Sequence, residues 1–164
     1  QGQESLPQGC AGIMLELARE SDWEAVKRIS VQIHDLHAAW RPDIYFHCEE
    51  PYPRDQFLAD IKDRMIYVSK IDDIVIGYVV LNILRKEGPG VVGSKQMRIE
   101  SICVEQALRG QGIGKAMVAD VRVLARAFGC REVILGVHPE NDPAVGFYQK
   151  CGFHIRTINM DMKI

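Results

Sequence analysis

The spacing of apolar residues changes period several times along the chain, and each change marks an element. Residues 12–18 (GIMLELA) form an apolar run of strand length. After "SDWE", where Ser21 and Glu24 match a capping box, Val26, Ile29, Ile33, Leu36 and Trp40 recur at helical spacing. Arg41-Pro42 ends this helix, because the residue before a proline is pushed out of the α region. Residues 42–53 hold three prolines and read as a structured loop. Pro53 then opens a second helix to about Asp63, with Phe57, Leu58 and Ile61 inward.

Two β-rich runs follow, "RMIYVSKI" and "IVIGYVVLNIL", flanking Asp72-Asp73 as in a hairpin. Residues 86–95 form a loop and "QMRIESICVE" the next strand. A helix with Ile113, Met117, Val121, Leu124 and Phe128 on one face closes at Gly129. "REVILGVH" (131–138) is almost continuously apolar, the pattern of a strand in the middle of a sheet. "NDPAVGFYQKCG" reads as a short helix with Asp142 as N-cap, Pro143 in the first position and Gly152 at its end. "FHIRTINMDMKI" reads as a last strand. The order β-α-α-β-β-β-α-β-α-β predicts an α/β (mixed α+β) fold, a mixed sheet with helices on both faces. The strands at 96–104 and 131–138 are joined by a helix and are expected to be parallel. Residues 12–164 form one domain on this reading. Residues 1–11 read as a flexible tail, part of it an expression tag.

Composition narrows the partners. The 164 residues are 47% hydrophobic and 26% charged, with a net charge of −2 and no block of lysine or arginine. That argues against a general nucleic-acid surface. No apolar run approaches the ~20 residues of a membrane span, and the N-terminus lacks the pattern of a signal peptide. A cytoplasmic protein acting away from membranes is the expectation. The five cysteines (Cys10, Cys48, Cys103, Cys130, Cys151) are scattered and never form a CxxC pair, so reduced thiols are expected rather than disulfides or structural zinc.

The chemistry concentrates in "ALRGQGIGKAM" (107–117), where Gly110, Gly112 and Gly114 alternate just before a helix. A helix N-terminus presents unpaired N–H groups and a positive dipole end, and glycines let an anion approach them. The loop fails as a Walker A motif, since Ala116 follows Gly114-Lys115 and Arg109 stands at the first glycine. It fails as a dinucleotide fingerprint, since Lys115 stands at the third glycine. A literal GxGxxG at Gly88, Gly90 and Gly93 leads into a strand, not a helix, and reads as a decoy.

The segment "ESICVEQALRGQGIGKAM" instead resembles the signature of the Gcn5-related N-acetyltransferases (GNAT), R/Q-x-x-G-x-G/A, through Arg109, Gly112 and Gly114. "NDPAVGFYQKCGF" is similar to that family's second element, through Asn141, Ala144, Phe147, Tyr148, Lys150, Gly152 and Phe153. The resemblance implies a mostly antiparallel sheet with a splayed parallel strand pair. It also implies acetyl-coenzyme A (acetyl-CoA) as cosubstrate, no metal, and a primary amine of a small molecule or peptide as acceptor. The pyrophosphate is expected on the N–H groups of Gly110, Gln111, Gly112, Ile113, Gly114 and Lys115, with Arg109 at the loop entrance. The pantetheine arm is expected along the backbone of Ile102, Cys103 and Val104, with an N–H there facing the thioester oxygen. Asn141 would orient the coenzyme or cap its helix.

Aminolysis of a thioester needs a base for the incoming amine and an acid for the leaving thiolate. Strand alternation puts Glu100, Ile102 and Val104 on one face and turns Cys103 away. Glu100 is the first candidate base, and the resemblance gives Tyr148 the acid's role. His138, past a strand end, is the second candidate base. Ser30, His34, His37 and Arg41 form a polar stripe on the first helix, facing either solvent or the acceptor. The competing reading is a coenzyme A or acyl-CoA binding module without turnover. Oligomeric state stays open between monomer and homodimer.

Overall fold

The computed structural model describes residues 15–162 and 164. The 1–11 tail, Cys10 and the start of the first strand lie outside the described residues. Five strands form one sheet in the order β1-β2-β3-β4-β5. They are β1 (Leu15–Leu17), β2 (Ile66–Ile71), β3 (Ile74–Lys86), β4 (Ser94–Val104) and β5 (Glu132–Leu135). The first three pairings are antiparallel, and β4 pairs with β5 in parallel. Helices α1 (Trp23–Trp40) and α2 (Arg54–Lys62) precede the hairpin, α3 (Ile113–Ala127) joins β4 to β5, and α4 (Asp142–Lys150) follows. The decoy glycines fall in the β3–β4 loop, where the strand pattern placed them. No helix among the described residues is long and apolar enough to cross a membrane.

Alternation along the strands divides the core into two layers. Tyr67, Val79, Leu81, Met97 and Ile99 pack under α3, against Met117, Val121 and Leu124. Ile66, Val68, Tyr78 and Val80 face the other way, against Trp23, Val26 and Ile29 of α1 and Phe57 of α2. Helices therefore cover both faces of the sheet. The β2–β3 hairpin closes on Asp72 (φ 49°) and Asp73 (φ 62°), the paired left-handed residues of a turn that matches strand twist.

Four local expectations change. α1 is entered through a 3-10 turn, Glu20–Asp22, rather than a Ser21–Glu24 capping box. Asp22 is buried there because its carboxylate accepts from the Arg19 N–H at 2.8 Å and meets Lys70 Nζ at 2.9 Å. In α4 the cap is Asn141, whose Oδ1 accepts from the Ala144 N–H at 3.2 Å, and Asp142 moves into the first turn. β5 is a four-residue edge strand among the described residues, not a central one. Its apolar run reflects contact with α3 on one face rather than a neighbour on each side. Residues 153–162 form no strand; Phe153 packs against the core, and the alternating apolar side chains after it stay exposed, Met160 at 93%. Alternation fixes only which face a side chain takes; a strand also needs a ladder partner, and this segment has none among the described residues.

The hairpin turn supplies a stability test. Replacing Asp73 with glycine, giving the Asp-Gly pair such turns prefer, removes the Cβ strain at positive φ. The expected gain is about 0.5 kcal/mol after the added unfolded-state entropy of glycine, read as a higher urea midpoint at unchanged m-value.

Candidate active site

β4 and β5 run side by side from Gln96↔Glu132 to Ile99↔Leu135, and there the pairing stops. β4 continues to Val104, still paired with β3 on its other edge. Residues 100–104 thus present backbone donors and acceptors to a gap rather than to a strand. An extended ligand carrying amides can complete such an edge as an added strand would.

The gap opens at a β-bulge. Val80 pairs with Ser101 and Leu81 with Ile99, so Glu100 is the extra residue on β4. Bulges break alternation and re-aim a side chain. Met97 and Ile99 before it, and Ile102 and Val104 after it, all face the α3 layer. Glu100 and Ser101 both turn toward α1, and Cys103 joins the α1 layer. Glu100 therefore does not share a face with Ile102 and Val104, and Cys103 lies on the Glu100 side of the sheet. Both placements reverse what uninterrupted alternation predicts.

Glu100 opens into a cavity of about 560 Å³ between the sheet, α1 and α2. Its carboxylate accepts from Asn82 Nδ2 at 3.3 Å and meets Arg98 Nε at 3.3 Å. From α1 the cavity receives Ser30, His34 and His37. The polar stripe of that helix thus faces the cavity over these three residues. His34 Nε2 contacts the Phe46 carbonyl at 2.7 Å, tying the 42–53 loop to α1. The loop lines the cavity through Pro51 and Tyr52. Burial, followed by the charges of His34 and His138, holds the His37 imidazole below its ordinary pKa.

Arg41 and His138 lie together, with Arg41 Nη1 2.8 Å from His138 Nε2, and neither lines the cavity. An arginine can only donate, so this contact occupies the Nε2 lone pair of His138, while Nδ1 faces the Glu140 backbone N–H at 3.4 Å and the Glu140 carboxylate at 3.7 Å. Asp43 engages the other side of the Arg41 guanidinium at 2.9 Å.

On the far side of the gap, α3 starts at Ile113 with Gly112 as its N-cap. Gly110 (φ 80°) and Gly112 (φ 84°) are both left-handed, so the loop requires glycine for its shape. The N–H groups of Ile113, Gly114 and Lys115 lie in the first helical turn, where no intrahelical acceptor reaches them. Arg109 Nε donates to the Val104 carbonyl at 3.0 Å, folding the loop back on the end of β4. Gly114 lies close under α4, since a Cβ there would come within 3.3 Å of the Phe147 ring and press it aside by a few tenths of an ångström. That contact seats α4 beside α3. Tyr148 then packs edge-on against Phe147 and Phe153, its hydroxyl making no hydrogen bond with the described residues. Burial, with the Cys103 and Cys151 thiols nearby, pushes the Tyr148 phenol up to about 12. These features suit a phosphorylated ligand that ends in an extended amide-bearing arm, which is the chemistry of coenzyme A.

Several parts had no separate signal in the sequence. Glu105 forms an ion pair with Arg28 and accepts from Gln32 Nε2, while Gln32 Oε1 accepts from the Gln106 N–H at 2.9 Å. This strap fastens α1 to the exit of β4. Tyr52, Tyr78, Asp60 and Asp63 come to the cavity from three separate segments. Only the i, i+4 and i+3 spacing of Gln56, Asp60 and Asp63 hints at a shared helix face.

Comparison with known proteins agrees with this architecture. The profile of the acetyltransferase (GNAT) family matches residues 31–153, and the chain belongs to that family. An N-alpha-acetyltransferase of Sulfurisphaera tokodaii is 31% identical over 112 residues, covering 63% of this chain and 66% of that protein. A glucosamine 6-phosphate N-acetyltransferase of Trypanosoma brucei brucei is 31% identical over 112 residues, covering 64% and 73%. A mutant of the BH1408 protein from Bacillus halodurans shares the fold with a TM-score of 0.87 at 24% identity, covering 92% of this chain and 98% of that one. The aminoglycoside N-acetyltransferase AAC(6')-Iy in complex with CoA shares it with a TM-score of 0.68 at 20% identity, covering 92% and 93%.

Cys103 supplies a test of this geometry. It is 4% exposed, with Sγ 3.5 Å from Ser101 Oγ, and burial raises its pKa, so little thiolate is present at neutral pH. In the folded protein Cys103 is expected to resist alkylation by iodoacetamide while half-buried Cys48 reacts, with both labelled in urea. Peptide mass spectrometry reads the difference.

Proposed function

We propose that this protein transfers an acetyl group from acetyl-CoA directly to a primary amine of a small molecule or peptide within a ternary complex. The parting of β4 from β5 carries the reading. It sets a cavity lined by a carboxylate on one side of an open backbone edge, and a glycine-opened helix and a half-buried tyrosine on the other.

Acetyl-CoA would supply the activated acyl group. The N–H groups from Gly110 to Lys115, with Arg109 beside them, would hold its pyrophosphate. The edge of Ile102–Val104 would pair with its pantetheine amides, and the Asn141 amide nitrogen stays available to it while Oδ1 caps α4. A lysine-like amine has a pKa of about 10.4, so it arrives protonated at neutral pH and must lose that proton before attack. Glu100, directed into the cavity by the bulge, takes it directly or through a water. A backbone N–H at Ile102 or Cys103 receives the oxygen of the attacked carbonyl. Tyr148 gives its proton to the departing sulfur. Direct transfer is favoured over an acyl-cysteine route because the thiol on the Glu100 side, Cys103, is buried and held protonated. His138 serves poorly as the base, since Arg41 occupies its lone pair.

A thiol-release screen of amines against acetyl-CoA tests the activity. Against any accepted amine, Glu100→Gln and Tyr148→Phe should each lower kcat by about 10²–10³-fold with CoA affinity retained. Unchanged turnover in both variants would remove these roles, and no thiol release across the panel would remove the activity.

The high Tyr148 pKa adds a sign to the pH profile. A raised phenol keeps its proton as pH climbs, so the acid form persists up to about 12. The rate should therefore show no loss from Tyr148 ionisation between about pH 8 and 10. An alkaline limb in that range that disappears in Tyr148→Phe would contradict the assignment.

A further inference from the structure

The cavity beside Glu100 carries a charge pattern that the transfer reaction does not require. Asp60 and Asp63 line it together with Glu100, and no lysine or arginine is among its lining residues. Arg98, next but one to Glu100 on β4, is engaged by Glu100 itself. Asp60 is held in place by two donors, the Tyr52 hydroxyl at 2.5 Å and Gln56 Nε2 at 2.9 Å. Asp60 lies in the last turn of α2 and Asp63 caps its C-terminus. The helix dipole is negative at that end, where Lys62 of the last turn lies outside the cavity lining and leaves the inward wall to the carboxylates. The rest of the wall also suits a cation. Tyr52 and Tyr78 stack with centroids 6.1 Å apart and planes within 7°, and both line the cavity. Tyr78 is only 2% exposed, so half-buried Tyr52, whose hydroxyl binds Asp60, is the aromatic group an ammonium can meet beside the carboxylate.

We infer that the acceptor is a di- or polyamine without phosphate or carboxylate, its reacting amine beside Glu100 and a second ammonium held by Asp60 and Asp63 at the end of α2. The inference rests on reading this cavity as the acceptor site. It separates this chain from an enzyme for a phosphorylated amino sugar, whose phosphate would meet three carboxylates and no lysine or arginine among the lining residues.

The test compares 1,4-diaminobutane, n-butylamine and glucosamine 6-phosphate in two readouts, thiol release from acetyl-CoA and thermal shift in the presence of CoA. The diamine should exceed butylamine in kcat/KM by about tenfold, and the phosphosugar should be the poorest of the three. Asp63→Asn should shrink the diamine-to-butylamine ratio about fivefold, mainly through KM, with Asp60→Asn acting in the same direction. Asp55→Asn, at the opposite end of α2 and outside the cavity, should leave the ratio unchanged. Equal use of butylamine and diamine, a preference for the phosphosugar, or an unchanged ratio in Asp63→Asn would overturn the inference while leaving acetyl transfer intact. If none of these probes releases thiol, the wider amine panel decides the transfer reading. The thermal shift then decides the charge pattern alone: a larger shift from the diamine, reduced in Asp63→Asn, supports it, and equal shifts overturn it.

Discussion

A parallel ladder that ends at Ile99–Leu135 leaves the last five residues of β4 with one edge facing no strand. Ser101, Ile102 and Val104 along that edge are half-buried, and unpaired backbone amides in such a place favour an added partner. The other parts of the site are arranged around that edge. α3 begins just beyond it with its first-turn N–H groups, and Gly114 lets α4 close against α3 so that Tyr148 comes near Cys103. The bulge at the head of the gap sends Glu100 to the α1 side of the sheet. One interruption in a ladder thus separates a coenzyme-like groove from a cavity and leaves only the strand between them.

The cavity depends on fastening segments that are far apart in the chain. α1 is tied to the exit of β4 by Arg28 and Gln32 on Glu105 and Gln106, so its His34 and His37 are held over the open end. The 42–53 loop is fixed by contacts from His34 to Phe46 and from Asp35 to His47, which set Tyr52 against Tyr78. These contacts are local and partly exposed; α1 and α2 are anchored by Trp23, Val26, Ile29 and Phe57, but no residue of the 42–53 loop is fully buried. That loop is thus less deeply anchored than the α3 layer. That is where members of one fold can change substrate without disturbing the coenzyme side.

Much of the coenzyme side could be read from the chain because its chemistry is local. The positive φ of Gly110 and Gly112, the apolar face of α3 and the short helix bearing Tyr148 each follow from neighbours in sequence. The acceptor side could not be read in the same way. Asp60, Tyr52 and Tyr78 look like an ordinary helix residue, loop residue and strand residue until folding brings them together. Glu100 was visible as a carboxylate on the right strand, but its direction was misread, because a bulge has no period. It shows only when the registers on its two sides are compared.

Local patterns in the chain were enough for the order of elements as far as α4, for helices on both faces, for the hairpin at Asp72-Asp73 and for the anion-ready start of α3. All of these rest on periodicity and on backbone preferences that act over a few residues. Only the tertiary structure decided that β5 lies at an edge, that residues 153–162 lack a ladder, and that Glu100 and Cys103 share a side of the sheet. It also decided that Asp60 and Asp63 meet Glu100 across one cavity. Each is a matter of which strand or helix sits beside which, settled by long-range pairing and packing that no local pattern encodes.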